Sequence, residues 1–199
     1  MTTVYLVRHG NVEDWDETFH GISFELSERG KRQIQNLATD MKEHGVKPTY
    51  IVHSPYLRTW QSAHILLETL DVTHIESDDR IAEWNAGPFF DRPLTEFYAA
   101  TRYDQTPPRV DDARVEPLEH MAERALASIR EHVAKLRGES IMFVSHREPM
   151  TTAMLTLQKK SFDTVHQVDF NVATAWKLTF NERDEFEHAE KCFDHHLDT

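Results

Sequence analysis

Cysteine is almost missing from this chain: a single one, Cys192, stands among 199 residues. That excludes an internal disulfide and a CxxC redox or zinc pair, and leaves Cys192 as a bystander. Also missing is any run of about 18 apolar residues, the length a membrane-crossing helix needs. The first residues, Met1-Thr2-Thr3-Val4-Tyr5, lack the basic region and long apolar stretch of a secretory signal. A cytoplasmic location is therefore expected, with no membrane partner. Positive charge is scarce as well: 22 Lys and Arg face 34 Asp and Glu, a formal charge of −12. Nucleic-acid binders usually carry a basic face, so no nucleic-acid partner is expected. The same imbalance means that a site for an anion must gather its cations locally.

What is present is the composition of a folded protein, with 39% hydrophobic and 28% charged residues. The length suits one domain over residues 1–199 and is short for two. Val4 to Val7 reads as a buried strand. Ser27 can cap a helix carrying Ile34, Leu37, Ala38 and Met41, which Gly45 closes. Tyr50-Ile51-Val52 reads as a second strand. Ser54-Pro55 follows as an N-cap and a first-turn proline, with Leu57, Trp60, Ala63, His64 and Leu67 on one helix face. From Asp78 to Asp112 the pattern is irregular, interrupted by Gly87, Pro88, Pro93, Pro107 and Pro108, with a short helix over Leu94 to Thr101. Leu118 to Leu136 has helical spacing and stops at Gly138. Ile141 to Val144 is a buried strand, a helix starts near Pro149, and Ala175 to Phe180 alternates as a strand. Alternating strands and helices predict an α/β fold, a three-layer α/β/α sandwich with a mostly parallel central sheet.

In open α/β sheets, sites form beyond the carboxyl ends of the strands. Three strand ends here carry reactive groups: Arg8-His9-Gly10-Asn11, His53-Ser54 with Arg58 one turn on, and Ser145-His146-Arg147. Two histidines and at least two arginines converge on one sheet edge. Arginine grips phosphate oxygens with paired hydrogen bonds. A neutral imidazole can attack phosphorus, and ordinary histidine, with a pKa of about 6.5, is partly neutral at physiological pH. Gly10 is expected to let backbone approach the substrate closely. These residues point to phosphoryl chemistry with His9 as nucleophile.

Arg8-His9-Gly10 after a strand, Ser54-Pro55-Tyr56-Leu57-Arg58-Thr59-Trp60-Gln61-Ser62-Ala63, Val144-Ser145-His146 and Leu26-Ser27-Glu28-Arg29-Gly30 together resemble the histidine phosphatase superfamily, which includes the cofactor-dependent phosphoglycerate mutases. The resemblance implies that His9 is the nucleophile and that Arg8, Arg58 and His146 hold the phosphoryl group. It also implies that Glu83, in Arg80-Ile81-Ala82-Glu83-Trp84, is the acid/base. Phe19-His20-Gly21 matches a substrate-contact stretch, making His20 and Gly21 candidates. Asn11, where relatives often carry glutamate or glutamine, can bind phosphate or shape a turn. Arg147-Glu148 replaces the glycine that often follows the second histidine. Arg147 can bind a substrate carboxylate or second phosphate, or pair with Glu148. Asp14-Trp15-Asp16-Glu17 stands where mutases tend to carry an asparagine.

The functional expectation is hydrolysis of a small phosphorylated metabolite through phosphohistidine. A mutase dependent on 2,3-bisphosphoglycerate is the alternative; a phosphatase needs no cofactor. A non-catalytic module for phosphorylated ligands is the reading from another class. Mutases usually carry a longer insertion after the glutamate region, whereas this chain is compact there. A homodimer is compatible with the sequence. No metal is expected, because Asp194-His195-His196 lies in what reads as a frayed tail.

Overall fold

Strand β1 (Thr2–Arg8) explains the layering. Its residues alternate between two buried faces: Val4 and Leu6 join one core, Tyr5 and Val7 the other. The structure, a computed structural model, describes residues 1–13 and 17–198. Strand β4 (Ser140–Ser145) runs parallel beside β1, and β2 (Tyr50–His53) and β3 (His74–Ser77) continue parallel on that side. On the other side, β5 (Thr174–Phe180) is antiparallel to β1, and β6 (Phe186–Asp194) antiparallel to β5. The sheet order is β3-β2-β4-β1-β5-β6.

Helices α1 (Glu28–Glu43) and α2 (Leu57–Thr69) cover one face, through Ile34, Leu37, Met41, Ala63 and Leu66. Helices α4 (Leu118–Lys135) and α5 (Arg147–Leu157) cover the other, through Ala125, Ile129, Val133, Met150 and Ala153. Each fully buried Leu, Ile or Met of these faces contributes about 1.5–3 kcal/mol. The α/β/α sandwich is therefore as the alternation predicts. Among the described residues, no helix is long and apolar enough to cross a membrane.

Ser27 caps α1 as expected, accepting from Gly30 N–H, and Gly45 follows its end at φ 73°. Ser54-Pro55 does not cap α2. Tyr56 holds the N-cap position, because Ser54 is engaged with His146. The buried face of α2 is also not the predicted one. Arg58, Thr59, Ser62, Ala63 and Leu66 point inward, whereas Trp60 is 45% exposed and lies tilted against the His64 ring. The polar set turns inward because it serves the sheet edge.

Two strands escaped the sequence pattern. β3 is short and half exposed, and β6 is an edge strand rich in charge. The irregular middle builds a third core beside the sheet, where α3 (Leu94–Thr101) supplies Phe97 to a cluster with Trp84, Phe89, Tyr103, Val115 and Met121. The segment after β6 is not frayed: Arg29 and Gln33 of α1 donate to the carbonyls of His196 and Asp198.

Candidate active site

The parallel strands β2, β4 and β1 end side by side, with Arg8 in register with Ser145 and His53 with Val144. His9 follows β1 directly and is pinned by its backbone, donating to Ser145 O at 3.1 Å and accepting from Ala173 N–H at 3.1 Å. The residue is 5% exposed, with Nδ1 2.7 Å from Gly10 O. A carbonyl only accepts, so Nδ1 carries the proton and Nε2 keeps its lone pair. That lone pair faces Arg58 Nε, 3.2 Å away. Burial, followed by the charges of Arg58 and the other site cations, holds the His9 imidazole well below its ordinary pKa. The ring is neutral at physiological pH.

Arg58, the second residue of α2, is 2% exposed and spans the site. NH1 donates to Gly21 O at 2.9 Å, and NH2 reaches Glu83 Oε2 at 3.3 Å. Arg8 donates through NH1 to Phe170 O, while its Nε is buried without a partner. A buried unsatisfied donor costs about 1–3 kcal/mol, which an anion's oxygen would recover. Burial pulls Arg8 down to about 10, which leaves it cationic at neutral pH.

His146 is the fully buried N-cap of α5. Its Nε2 shares a 2.8 Å hydrogen bond with Ser54 Oγ, and its Nδ1 lies 3.2 Å from Glu83 Oε2. Burial outweighs the pull of Glu83 and lowers His146 to about 4. Glu83 is shifted the other way from what burial alone would do. His146, Arg58 and the Trp84 N–H outweigh desolvation and hold its carboxyl below the usual carboxylate range. At neutral pH the site holds an anionic Glu83 between a guanidinium and two neutral imidazoles.

Arg8, His9, Arg58 and Glu83 open into a cleft of about 390 Å³, whereas the predicted phosphate ligand His146 is fully buried and outside its lining. Arg8, His9, Arg58 and Glu83 line its inner end, and Phe19, Trp84, Leu94, Phe97, Tyr98 and Tyr103 its outer wall. Of the remaining candidates, His20 lines the cleft and stacks on Phe24. Gly21 does not line it; its carbonyl steadies Arg58, and its N–H donates to Asp91. Asn11 is turned away, with its carboxamide oxygen accepting from Ser27 at 2.8 Å. This is its turn-shaping alternative. Arg147 lines the rim and pairs with Glu148 at 2.9 Å. Asp14, Trp15 and Asp16 lie outside the described residues. A Cβ at Gly10 would meet Gly30 O at 2.3 Å, so this glycine lets the loop cross α1.

His9, Glu83 and His146 also present ligand atoms within 4.8 Å of one another, the one such group among the described residues. Arg58 donates to His9 and Glu83, placing positive charge where a metal would sit. His195, by contrast, bridges Asp40 and Asp198, and His196 pairs with Asp194.

Sequence reasoning missed Ser54 as the partner of His146, and Ser62, whose Oγ accepts from Gly10 N–H at 3.3 Å. It also missed the aromatic wall. Its signal was the density of rings between Trp84 and Tyr103 in a segment without long regular structure.

A neutral, tautomer-fixed histidine beside two guanidiniums, at the carboxyl end of a parallel sheet, defines a protein built for anion chemistry at a buried nitrogen. The chain belongs to the histidine phosphatase superfamily (branch 1), whose sequence model matches residues 4–189. Comparison with curated proteins finds no match. Among solved structures, phosphoserine phosphatase from Entamoeba histolytica in complex with 3-phosphoglyceric acid is similar, with a TM-score of 0.83, 18% identity, and 99% and 100% of the two chains covered. Bacillus stearothermophilus YhfR follows at 0.80, 20% identity and 94% and 95% coverage. A mycobacterial glucosyl-3-phosphoglycerate phosphatase gives 0.78, 17% identity and 97% and 98% coverage. At these identities the likeness is one of fold.

Proposed function

We propose that the chain is a phosphatase that hydrolyses small phosphomonoesters through phospho-His9, without a cofactor. The observation that carries this reading is the His9 tautomer: Nδ1 is tied to Gly10 O, leaving the Nε2 lone pair at the inner end of the cleft. A phosphate group entering there takes Arg58 off His9 and recruits the unpartnered Nε of Arg8. His9 Nε2 attacks phosphorus as the bond to the alcohol oxygen breaks. Glu83 is an anion before substrate arrives. The added negative charge raises its proton affinity, so it takes the proton of a phosphate monoanion and passes it to the departing oxygen. Water then attacks phospho-His9 as the P–N bond breaks and gives its proton to Glu83, which returns it to the departing inorganic phosphate, leaving His9 neutral and Glu83 anionic again.

The charge of the cleft favours hydrolysis over the mutase alternative. Its lining holds Arg8, Arg58 and Arg147 against Glu83 and Glu148, a net of one positive charge. One phosphate monoanion is compensated by that balance, whereas a bisphosphate held in place for re-phosphorylation is not. A cleft of about 390 Å³ with an aromatic wall supports a small metabolite as partner.

The purified protein is expected to hydrolyse an aryl phosphate without added metal, and His9→Ala to abolish turnover. Undiminished activity in that variant would sink the mechanism. A protein that binds phosphate but never releases it from esters is instead the non-catalytic module. Incubation with 3-phosphoglycerate separates the remaining pair. Isomerisation that depends on 2,3-bisphosphoglycerate means a mutase, and inorganic phosphate alone means a phosphatase.

A further inference from the structure

Gln33 lies in the first half of α1, is fully buried, and is outside the cleft lining. A buried glutamine must place both ends of its amide. Its Oε1 accepts the Asn11 N–H at 3.0 Å. Its Nε2 donates to His196 O at 2.8 Å and to Asp198 O at 3.3 Å. The Asn11 N–H and the Gly10 carbonyl belong to one peptide unit. That carbonyl is the group 2.7 Å from His9 Nδ1. The two bonds leave the peptide from opposite ends, so the acceptor on one side polarises the carbonyl on the other. Gln33 thus stands one peptide plane from the contact that decides which His9 nitrogen is the nucleophile.

The amide cannot simply rotate. Two backbone carbonyls beside Nε2 would face an oxygen if it flipped, and Asn11 N–H would face an NH₂ group. The carbonyls come from the 195–198 segment, which is itself fixed to α1. Arg29 donates to the same two carbonyls, Asn36 to Asp198 Oδ2, and His195 bridges Asp40 and Asp198. The segment reaches His9 by a second route too. His195 N–H donates to Ala173 O at 3.1 Å, and Ala173 N–H to His9 O at 3.1 Å. Glycines at 10 and 30 bring loop and helix close enough for the first route, since a Cβ at Gly30 would meet Asn11 O at 2.0 Å.

We propose that Gln33 is a positioning residue for His9, holding the Gly10–Asn11 peptide so that its carbonyl keeps the proton on Nδ1, with the 195–198 segment setting the orientation of the Gln33 amide. The role rests on the reading of His9 as nucleophile. It acts on the fraction of rings that present a free Nε2, and so on kcat more than KM.

The test is the histidine tautomer, read by long-range proton–nitrogen NMR on the full chain with labelled histidine, alongside aryl phosphate kinetics. Wild type is expected to show His9 with a protonated Nδ1 and a bare Nε2. Gln33→Leu, which keeps the volume and loses the acceptor, is expected to give mixed tautomers, a kcat about tenfold lower, and a KM within twofold. Gln33→Leu with wild-type tautomer overturns the proposal, whether or not its activity falls. If Gln33→Leu does not fold, amide exchange in wild type decides. Asn11 N–H is expected to be among the slowest-exchanging amides, and rapid exchange in the folded protein overturns the proposal. If wild type hydrolyses nothing, the functional reading fails, while the tautomer still decides this one.

Discussion

The two ends of the cleft are made differently. The inner end is polar, packed and built from element ends: Arg8 closes β1 with His9 directly after it, Arg58 lies in the first turn of α2, and His146 is the N-cap of α5. Each side chain is held by at least one backbone group or by a neighbour of the same cluster. The outer wall is aromatic and comes from the irregular stretch around α3, with Phe97 and Tyr103 packed edge-on against Trp84. The inner end offers fixed charges and a nitrogen, which suits a reaction. The outer wall offers area and a few polar groups, which suits a choice among alcohols. Changes at the inner end should therefore cost rate on every substrate, and changes at the wall should cost affinity on some.

The largest effect is expected from Arg58→Ala. It removes the donor shared by His9 and Glu83, and kcat/KM should fall about 10³-fold for all phosphomonoesters alike. A loss confined to some substrates would break the division between the two ends. Glu83→Gln comes next. It should cost about 10²-fold on alkyl phosphates, whose leaving oxygen needs a proton, and much less on aryl phosphates with good leaving groups. Equal losses on both would remove Glu83 from the proton path.

The inner end should also govern the response to acid. Folded, His9 and His146 bind protons less readily than when unfolded, so the unfolded chain gains protons first as pH falls below about 6.5. Stability should be full at neutral pH and drain by on the order of 1–3 kcal/mol towards pH 4, where the buried His146 titrates. Glu83, shifted the opposite way, extends the loss below the ordinary carboxylate range. Urea unfolding at stepped pH measures this, and the slope should flatten in His9→Ala. The smallest effect belongs to the wall. The Tyr103 hydroxyl is buried beside the Arg147 guanidinium, so Tyr103→Phe should leave stability nearly intact and raise KM about two- to fivefold, by unequal amounts on different alcohols.

The same division explains what could be read in advance. Arg8, His9, Arg58 and His146 lie at element ends, where strand pattern and helix start place a residue without knowledge of its neighbours. The central strands and covering helices were legible for the same reason, since buried faces repeat at fixed periods. The choice between the two readings of Asn11, and the approach of Gly10 to Gly30, could not be read locally because the partners come from the α1 N-cap and first turn. Ser54 was misjudged because its partner is 92 residues away. β3 and β6 were missed because half-exposed edge strands need no apolar alternation. Tyr103 reached the cleft through a tertiary cluster that no local pattern encodes.

The contact between Arg58 Nε and His9 Nε2 has one more consequence. A bare imidazole nitrogen is open to any small electrophile in solution, and acylation or alkylation there would end the catalyst's life. In the ligand-free protein the lone pair is already engaged by a guanidinium that is itself almost fully enclosed. Only a partner that Arg58 prefers to the imidazole, such as a doubly charged oxyanion, uncovers it. In the proposed reaction, the residue that would hold the phosphoryl group is thus also the one that covers His9 Nε2 until that group arrives.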